Sequence, residues 1–185
     1  MEHKGTVKLE TERLILRRHE ITDAEIMFKN WVTEEKVTKF LTWQPHKNAD
    51  ETRQLLNEWI KSYEKADYYF WTIELKSTHE LVGDISAVNV DEATESIELG
   101  YGIGSRWWGK GITAEAGRAL VKFFFEEVKA RRVYAKHASK NPNSGKVMQK
   151  IGMKKDGVIR QSWKCNQGIV DAVYYSILKD EYEGD

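Results

Sequence analysis

The residues between Ile97 and Thr113 have the types and spacing of a phosphate-binding site. They read I-E-L-G-Y-G-I-G-S-R-W-W-G-K-G-I-T, which predicts a strand that ends in a glycine turn and opens directly into a helix. Such a turn aims several backbone N–H groups, and the positive end of the helix dipole, at one point. Gly109 and Gly111 have no Cβ, so the chain can approach a ligand closely, and Lys110 adds positive charge. The pattern predicts a bound phosphate compound; the alternative is a turn that only joins strand and helix.

Two common phosphate motifs do not fit this turn. From Gly104 to Gly111 the sequence matches the P-loop pattern G-x-x-x-x-G-K-[ST] except at its last position. In a P-loop that position supplies a hydroxyl to Mg²⁺, which Gly111 lacks, and Thr113 lies two residues further on. The dinucleotide fingerprint G-x-G-x-x-G fails at Trp107, and the turn lies in the middle of the chain. A nucleotide triphosphatase or dinucleotide-dependent enzyme is therefore disfavoured.

Composition narrows the class of protein. A chain of 185 residues is expected to form a single domain, residues 1–185 with a core of about 8–180. Lys+Arg and Asp+Glu both number 29, and this zero net charge disfavours nucleic-acid binding through bulk electrostatics. No apolar run is long enough for a membrane span or a signal peptide. The single cysteine, Cys165, suits a reducing compartment, so we expect a cytoplasmic protein. The five histidines show no metal-ligand spacing, and no metal is expected.

Hydrophobic periodicity predicts helices first, then antiparallel strands, then a strand–helix–strand crossover. The capping box at Thr22–Glu25 opens a first helix, and Asn48 with Glu51 opens a second. Asn141 is expected to cap the last helix, with proline at its first position and Gly152 after its end. The predicted strands are near 14–17, 68–75, 81–90, 96–104, 133–137, 155–163 and 169–178. This order predicts an α/β (α+β) fold, a mixed and mostly antiparallel central sheet with helices on both faces.

Three segments together resemble a known family. The turn reads R-x-x-G-x-G from Arg106 to Gly111, within the longer stretch E-L-G-Y-G-I-G-S-R-W-W-G-K-G-I-T-A-E-A. L-E-T-E-R-L-I-L-R-R-H-E-I-T-D precedes it at residues 9–23, and N-P-N-S-G-K-V-M-Q-K-I-G-M follows at 141–153. In this order they resemble the general N-acetyltransferase (GNAT) superfamily, most closely its Rim-type branch, which acetylates the N termini of ribosomal proteins. Met153 stands where that branch usually has an aromatic residue.

The resemblance implies a metal-free site for acetyl-CoA. It implies a V-shaped gap between the cofactor strand and the next one, in which pantetheine hydrogen-bonds backbone groups near Ile103 as an added strand would. The turn amides would bind the pyrophosphate, and Asn141 would act as a helix cap, a pantetheine contact or both. The residues expected to bind the cofactor are Ile103, Arg106, Trp108, Gly109, Lys110, Gly111, Ile112, Thr113 and Asn141.

Two residues are candidates for proton transfer. Glu98 lies on one strand face with Gly100, Gly102 and Gly104, and it is the candidate general base, directly or through water. The glycines leave space for a ligand or, alternatively, for tight helix–sheet packing, and Glu98 is otherwise a solvated or salt-bridged residue. By resemblance to Rim-type enzymes, Ser144 would protonate or hydrogen-bond the leaving thiolate; otherwise it makes a local hydrogen bond at the helix start.

The remaining chemistry-bearing residues carry weaker hypotheses. Many superfamily members use a tyrosine as the acid where this chain has Met148, which cannot donate a proton. Cys165 could form an acyl-enzyme but has no histidine near it in sequence. Four aromatic residues are candidate walls of the acceptor pocket or simply core, namely Trp31, Phe40, Trp43 and Trp71. Segments 32–50 and 162–168 are the expected acceptor-binding loops.

The sequence thus predicts an acetyl-CoA-dependent N-acetyltransferase that acts on a primary amine in a ternary complex, most readily a protein N-terminal α-amine. An α-amine has a pKa of about 7.7–8.0, so roughly a tenth to a fifth is already neutral at pH 7 and needs little help from a base. Acetylation of a polyamine, amino acid or antibiotic, and a non-catalytic acyl-CoA sensor, are the alternatives. The sequence leaves the oligomeric state open, monomer or homodimer.

Overall fold

A computed structural model of the chain describes residues 1–184 and arranges eight strands in one sheet. The strands are β1 (Leu9–Glu10), β2 (Leu14–Arg17), β3 (Phe70–Leu75), β4 (Leu81–Asp91), β5 (Ser96–Ile103), β6 (Arg132–Ala138), β7 (Lys154–Cys165) and β8 (Gly168–Leu178). Their order in the sheet is β1-β2-β3-β4-β5-β6-β8-β7. Among these described strands, β5 and β6 pair in parallel and the other neighbours are antiparallel. The predicted fold class, mixed and mostly antiparallel with helices on both faces, is confirmed.

Helices cover the sheet on both sides. They are α1 (Ala24–Met27), α2 (Glu35–Thr38), α3 (Ala49–Ser62), α4 (Ile112–Glu126) and α5 (Pro142–Ile151). Leu81 and Val82 are adjacent on β4 and so point to opposite faces. Val82 belongs to the core that contains the phenylalanines of α4, whereas Leu81 belongs to a second core with Trp31 and Leu56 from the N-terminal helices. In residues 1–184 no helix has the length and apolarity to cross a lipid bilayer.

Strands β5 and β6 separate after a short paired stretch. They pair at three positions, from Ser96 opposite Arg132 to Glu98 opposite Tyr134. Beyond that point β5 pairs with β4 as far as Ile103, while β6 continues against β8. The sheet therefore contains a gap that opens beyond Glu98 and widens toward the start of α4. This is the V-shaped gap that the sequence resemblance implied.

Local signals predicted some helix ends and missed others. Asn48 caps α3 by accepting a hydrogen bond from the Glu51 N–H at 2.9 Å, as expected. The predicted capping box at Thr22–Glu25 is wrong, because the Asp23 carboxylate accepts the Glu20 N–H at 2.8 Å and the chain enters α1 through a 3₁₀ turn. After α1 the helix widens into one π-type segment, Phe28–Val32.

The last helix also differs in detail from its prediction. It begins at Pro142 and ends at Ile151, and the next residue, Gly152, has a φ of +105° that favours glycine. The Asn141 side chain makes no capping hydrogen bond. The backbone carbonyl of Asn141 instead accepts the Ser144 N–H at 3.2 Å. The Asn141 side chain is therefore not used to cap α5.

Candidate active site

The turn before α4 has the backbone geometry that phosphate binding requires. Gly109 and Gly111 both have a φ of +76°, a left-handed conformation that favours glycine. The Glu115 N–H donates to the Gly111 carbonyl at 3.0 Å and begins the hydrogen bonding of α4. The amides of Ile112 and Thr113 precede it and have no acceptor within the helix. A Cβ on Gly109 would meet no described heavy atom within 4 Å, so the turn leaves room for phosphate oxygens beside its amides.

One predicted phosphate ligand is used differently. The Trp108 N–H donates to the Ser105 carbonyl at 3.2 Å inside a short 3₁₀ turn. Contrary to expectation, this amide is therefore not free to bind a phosphate. The Trp108 indole is 48% exposed, and its Nε1–H donates to the Ile103 carbonyl at 2.9 Å. The backbone donors of the turn therefore begin at Gly109, and Trp108 contributes its side chain at the edge of the gap.

The two cations of the turn lie on its surface. Arg106 is exposed, stands 5.1 Å from the centroid of the Trp107 ring and pairs with Glu80 at 3.2 Å. Lys110 is exposed, and its carbonyl accepts a hydrogen bond from the Arg13 Nη1 at 3.1 Å. Both side chains can add positive potential around a bound anion, and neither is buried in the turn itself.

Sequence reasoning missed an ion pair, Arg13 with Glu115, that contacts the turn before α4. The Arg13 guanidinium and the Glu115 carboxylate are joined by two contacts of 2.6 Å, and Thr11 also donates to Glu115. Burial alone would raise the pKa of the Glu115 carboxyl, but the hydrogen bonds from Thr11 and Arg13 and the guanidinium charge lower it. Arg13 thereby neutralises an anion in the first turn of α4 that would otherwise repel phosphate. Both residues lie in segments that carried the family resemblance, which was the available signal.

Backbone groups of β5 face the gap. The Gly104 N–H donates to the Val82 carbonyl of β4 at 2.9 Å. Because backbone groups alternate along a strand, those of Ile103 point the other way, toward the separated β6. Ile103 therefore faces the gap, where its carbonyl accepts the Trp108 indole N–H, and its pairing with an extended ligand stays a prediction.

Ser144 lies across this gap with a partner that the sequence analysis did not assign. The Tyr101 hydroxyl on β5 is 2.8 Å from the Ser144 Oγ on α5, and it is 3.2 Å from the Ser144 carbonyl oxygen. Burial raises the pKa of Tyr101 to about 12, so this phenol stays protonated in the physiological range. Strand alternation had placed Tyr101 opposite the glycines, but no role was drawn from it. The pair brings two hydroxyls together where the strands separate, while Met148 is buried in the core.

Glu98 stands where the gap begins and is paired. Its carboxylate lies 2.9 Å from the Lys136 Nζ on β6, and the Glu98 residue is 7% exposed. Desolvation lowers the pKa of the Lys136 ammonium, but the hydrogen bond and charge of Glu98 outweigh it and the pKa is raised. The salt-bridged interpretation of Glu98 is therefore what the structure shows, and any role as a base operates within this ion pair.

Packing occupies most of the glycine face of β5. A Cβ on Gly104 would stand 2.4 Å from the Asn30 carbonyl oxygen, and one on Gly100 would stand 2.5 Å from a Val88 methyl. Both glycines are thus explained by close packing rather than by an open ligand space. The same interpretation holds for Trp31 and Trp71, which are buried in the two cores.

A buried carboxyl group faces the third glycine of this face. Asp84 on β4 pairs in register with Gly102, and one of its carboxylate oxygens accepts the Trp31 indole N–H at 3.2 Å. Burial raises the pKa of Asp84 to about 7, against the lowering effect of the bonds from Trp31 and from the Gly102 backbone. No sequence signal distinguished Asp84 from an ordinary strand residue.

The acyl-enzyme hypothesis for Cys165 finds little support in the structure. Cys165 is 6% exposed at the end of β7, so its thiol is poorly placed to take up an acyl group. Among residues 1–184 no group of three or more histidine, cysteine, aspartate or glutamate side chains could hold a metal ion.

Comparisons with known proteins agree with this architecture. Residues 13–154 match the family described as "Acetyltransferase (GNAT) domain". An uncharacterized N-acetyltransferase, p20 of Bacillus licheniformis, is 29% identical over 95% of this chain and 98% of its own length. A putative ribosomal N-acetyltransferase, YdaF of Bacillus subtilis (strain 168), is 31% identical over 94% and 96%. A GNAT-family acetyltransferase from Bacillus anthracis superimposes with a TM-score of 0.82 at 25% identity, covering 94% of this chain and 99% of that one. The chain belongs to the GNAT family and is an acetyltransferase.

Proposed function

We propose that this protein transfers the acetyl group of acetyl-CoA to a protein N-terminal α-amine, of the kind carried by ribosomal proteins. The gap between β5 and β6 is the observation that carries the proposal. At its wide end lie the turn amides from Gly109 onward, and near its apex lie Glu98 and Ser144. We expect an extended pantetheine arm to lie between these two ends. The printed name of the B. subtilis relative, "Putative ribosomal N-acetyltransferase", supports a ribosomal protein as the acceptor.

On the amine side, Glu98 removes the proton that the attacking nitrogen must lose. The α-ammonium gives a proton to the Glu98 carboxylate, directly or through water. The neutral amine then attacks the thioester carbonyl, a C–N bond forms, and the nitrogen loses its second proton as the C–S bond breaks. Lys136, at 2.9 Å, holds the Glu98 carboxylate in place. A lysine side chain with a pKa near 10.4 would be under a thousandth neutral at pH 7, whereas an α-amine is already partly neutral. An α-amine therefore needs less help from Glu98 than a lysine side chain does.

On the thiol side, Ser144 donates a hydrogen bond to the sulfur as the C–S bond breaks, and the thiolate takes up the second proton lost by the nitrogen through the solvent. The Tyr101 hydroxyl has one proton and faces two acceptors, the Ser144 Oγ and the Ser144 carbonyl oxygen. When Tyr101 donates to the Oγ, the Ser144 hydroxyl proton is free to point at the departing sulfur. Tyr101 then acts as a positioning residue that orients the proton of Ser144. Asn141, whose side chain does not cap α5, is available to contact pantetheine.

A thiol-release assay tests the proposal. Acetyl-CoA is offered in parallel with Ala- and Ser-initiated peptides, with the same peptides blocked at the N terminus but carrying lysine, and with polyamines and aminoglycosides. We expect turnover with the free N-terminal peptides and little with the blocked ones. Turnover confined to polyamines or aminoglycosides would replace the peptide by a small-molecule acceptor. Tight CoA binding with no turnover on any amine would indicate an acyl-CoA sensor.

The Glu98→Gln variant tests the base. We expect turnover to fall about tenfold to a hundredfold at pH 7, because the amine then loses its proton unaided. At pH 9 the α-amine is almost wholly neutral, so the deficit should shrink. A deficit that is equal at both pH values would show that Glu98 acts only through its ion pair with Lys136.

A further inference from the structure

A second set of contacts joins the two segments expected to hold the acceptor. We use the name bridge for residues 38–44, which begin at the last residue of α2, and the name hairpin tip for residues 165–168, where β7 turns into β8. Asn166 of the hairpin tip donates its Nδ2 protons to two bridge carbonyls, Thr38 at 2.9 Å and Trp43 at 2.7 Å. Its Oδ1 accepts the Gln44 Nε2–H at 2.6 Å, and its backbone N–H donates to the Leu41 carbonyl at 3.0 Å.

These contacts fix the orientation of the Asn166 amide, and neither aspartate nor alanine reproduces them. Carbonyl oxygens only accept hydrogen bonds, so the nitrogen of the amide must face Thr38 and Trp43 while its oxygen faces Gln44. An aspartate would bring a carboxylate oxygen against the two carbonyl oxygens, and an alanine would leave them without this partner. Asn166 therefore gathers two carbonyls that lie five residues apart onto one nitrogen atom.

The middle of the bridge reaches the centre of the sheet. Leu41 Cδ1 lies 3.7 Å from the point where a Cβ on Gly102 would stand. Gly102 belongs to β5, on one side of the gap, whereas the hairpin tip belongs to β8 and β7, beyond β6 on the other side. The bridge thus runs from one side of the gap to the other, on the face opposite α4 and α5. An acceptor that approaches the apex from this face must pass beside it.

We propose that Asn166 is a specificity-determining residue that holds the bridge against the hairpin tip and so limits the width of the acceptor entrance. The inference rests on the proposed function, since it concerns the acceptor of that reaction. A fastened bridge admits an unbranched, extended chain end such as a protein N terminus with a small first residue. It excludes bulky amines by size, because widening the entrance requires breaking the hydrogen bonds to Asn166.

Two variants and a control test the bridge directly. Asn166→Ala removes the side-chain bonds, Asn166→Asp adds repulsion, and Gln167→Ala alters the exposed neighbour in the same turn. Hydrogen exchange of the intact protein reports on the bridge without any acceptor. We expect amides of residues 39–44 to exchange about tenfold faster or more in Asn166→Ala, faster still in Asn166→Asp, and unchanged in Gln167→Ala. Unchanged exchange in both Asn166 variants would overturn the proposal.

Steady-state kinetics test the effect on specificity. Each variant is assayed with an Ala-initiated peptide and with the same peptide initiated by Trp. We expect the preference for alanine, as a ratio of kcat/KM values, to fall about fivefold or more in Asn166→Ala, with KM for acetyl-CoA unchanged. An unchanged preference, or equal losses for both peptides and for acetyl-CoA, would overturn it.

The two proposals can fail separately. If the wild-type protein acetylates no amine, the proposed function fails and the acceptor role of Asn166 fails with it. Faster exchange in that case would still establish Asn166 as the residue that fastens the bridge. If the wild-type protein acetylates peptides but the Asn166 variants keep its preference, the proposed function stands and the further inference is wrong.

Discussion

The proposed cofactor site, at the turn before α4, and the proposed acceptor entrance, beside the bridge, differ in the groups that form them: backbone amides in the first and side chains in the second. At the turn before α4 the groups offered to a ligand are backbone amides, held by two glycines with positive φ and supported by Arg13 and Glu115. On the acceptor side, the bridge is an irregular segment whose position depends on side chains such as Asn166 and Leu41. A backbone site tolerates changes in most side chains as long as its glycines remain. A side-chain site can change its ligand with single substitutions.

The largest test of this comparison is Gly109→Glu. The variant places a β-carbon at φ +76° and a carboxylate beside the amides that would meet the pyrophosphate. We expect CoA affinity to fall by about a hundredfold or more, which corresponds to roughly 3 kcal/mol. Isothermal calorimetry with CoA measures it.

Gly168→Glu is the matched control. Gly168 has a φ of +86° and, like Gly109, open space around the position of a Cβ, but it lies in the hairpin tip. It should carry a similar backbone strain and leave CoA affinity unchanged. Equal losses of affinity in both variants would mean that strain, not the phosphate site, is being measured.

A second test separates binding from chemistry on the cofactor side. Ser144→Ala should lower kcat by about a hundredfold, because the departing sulfur loses its hydrogen-bond donor, and leave the Kd for CoA unchanged. Tyr101→Phe should lower kcat by a smaller factor, about tenfold, because Ser144 keeps its proton but loses its orientation. Parallel losses of CoA affinity in both variants would make the pair structural. Calorimetry and initial rates at saturating substrate distinguish these outcomes.

The smallest test concerns the N-terminal lobe, residues 18–69 between β2 and β3, which contains the bridge. His19 is 3% exposed between the Trp59 and Phe70 rings, and both ring nitrogens lack a hydrogen-bond partner among the described residues. Burial lowers the pKa of His19 to about 3, against the opposing charge of Asp23. The unfolded chain therefore binds this proton more readily, and stability falls as the pH drops below about 6.5.

At pH 5 this proton costs about 2 kcal/mol of unfolding free energy. Urea unfolding at pH 7.5 and pH 5 should show a smaller acid loss in His19→Phe than in the wild-type protein. Hydrogen exchange, corrected for the intrinsic effect of pH, should show α3 and the bridge losing protection at pH 5 before α4 does. Uniform loss along the chain, or an equal acid loss in the variant, would contradict a lobe-specific effect of His19.

The same difference explains what the sequence could predict. Glycines, an N-cap and alternating apolar residues act locally, so the turn, the positions of most strands along the chain and the bounds of α3, α4 and α5 follow from them. The Tyr101–Ser144 pair joins residues 43 positions apart, and Asn166 contacts residues more than 120 positions away. Such contacts depend on where the strands place each residue. Asp84 was missed for a related reason, since burial by the N-terminal helices sets its pKa.

The indole of Trp108 has a consequence for how the coenzyme enters. Its Nε1–H already donates to the Ile103 carbonyl at the edge of the gap, so under the proposed function pantetheine competes with the indole for that oxygen. The apparent affinity for the coenzyme is then the intrinsic one multiplied by the fraction of molecules in which the indole has moved away. Displacement would move the ring into a different environment, and we expect the fluorescence emission of Trp108 to shift when the coenzyme binds.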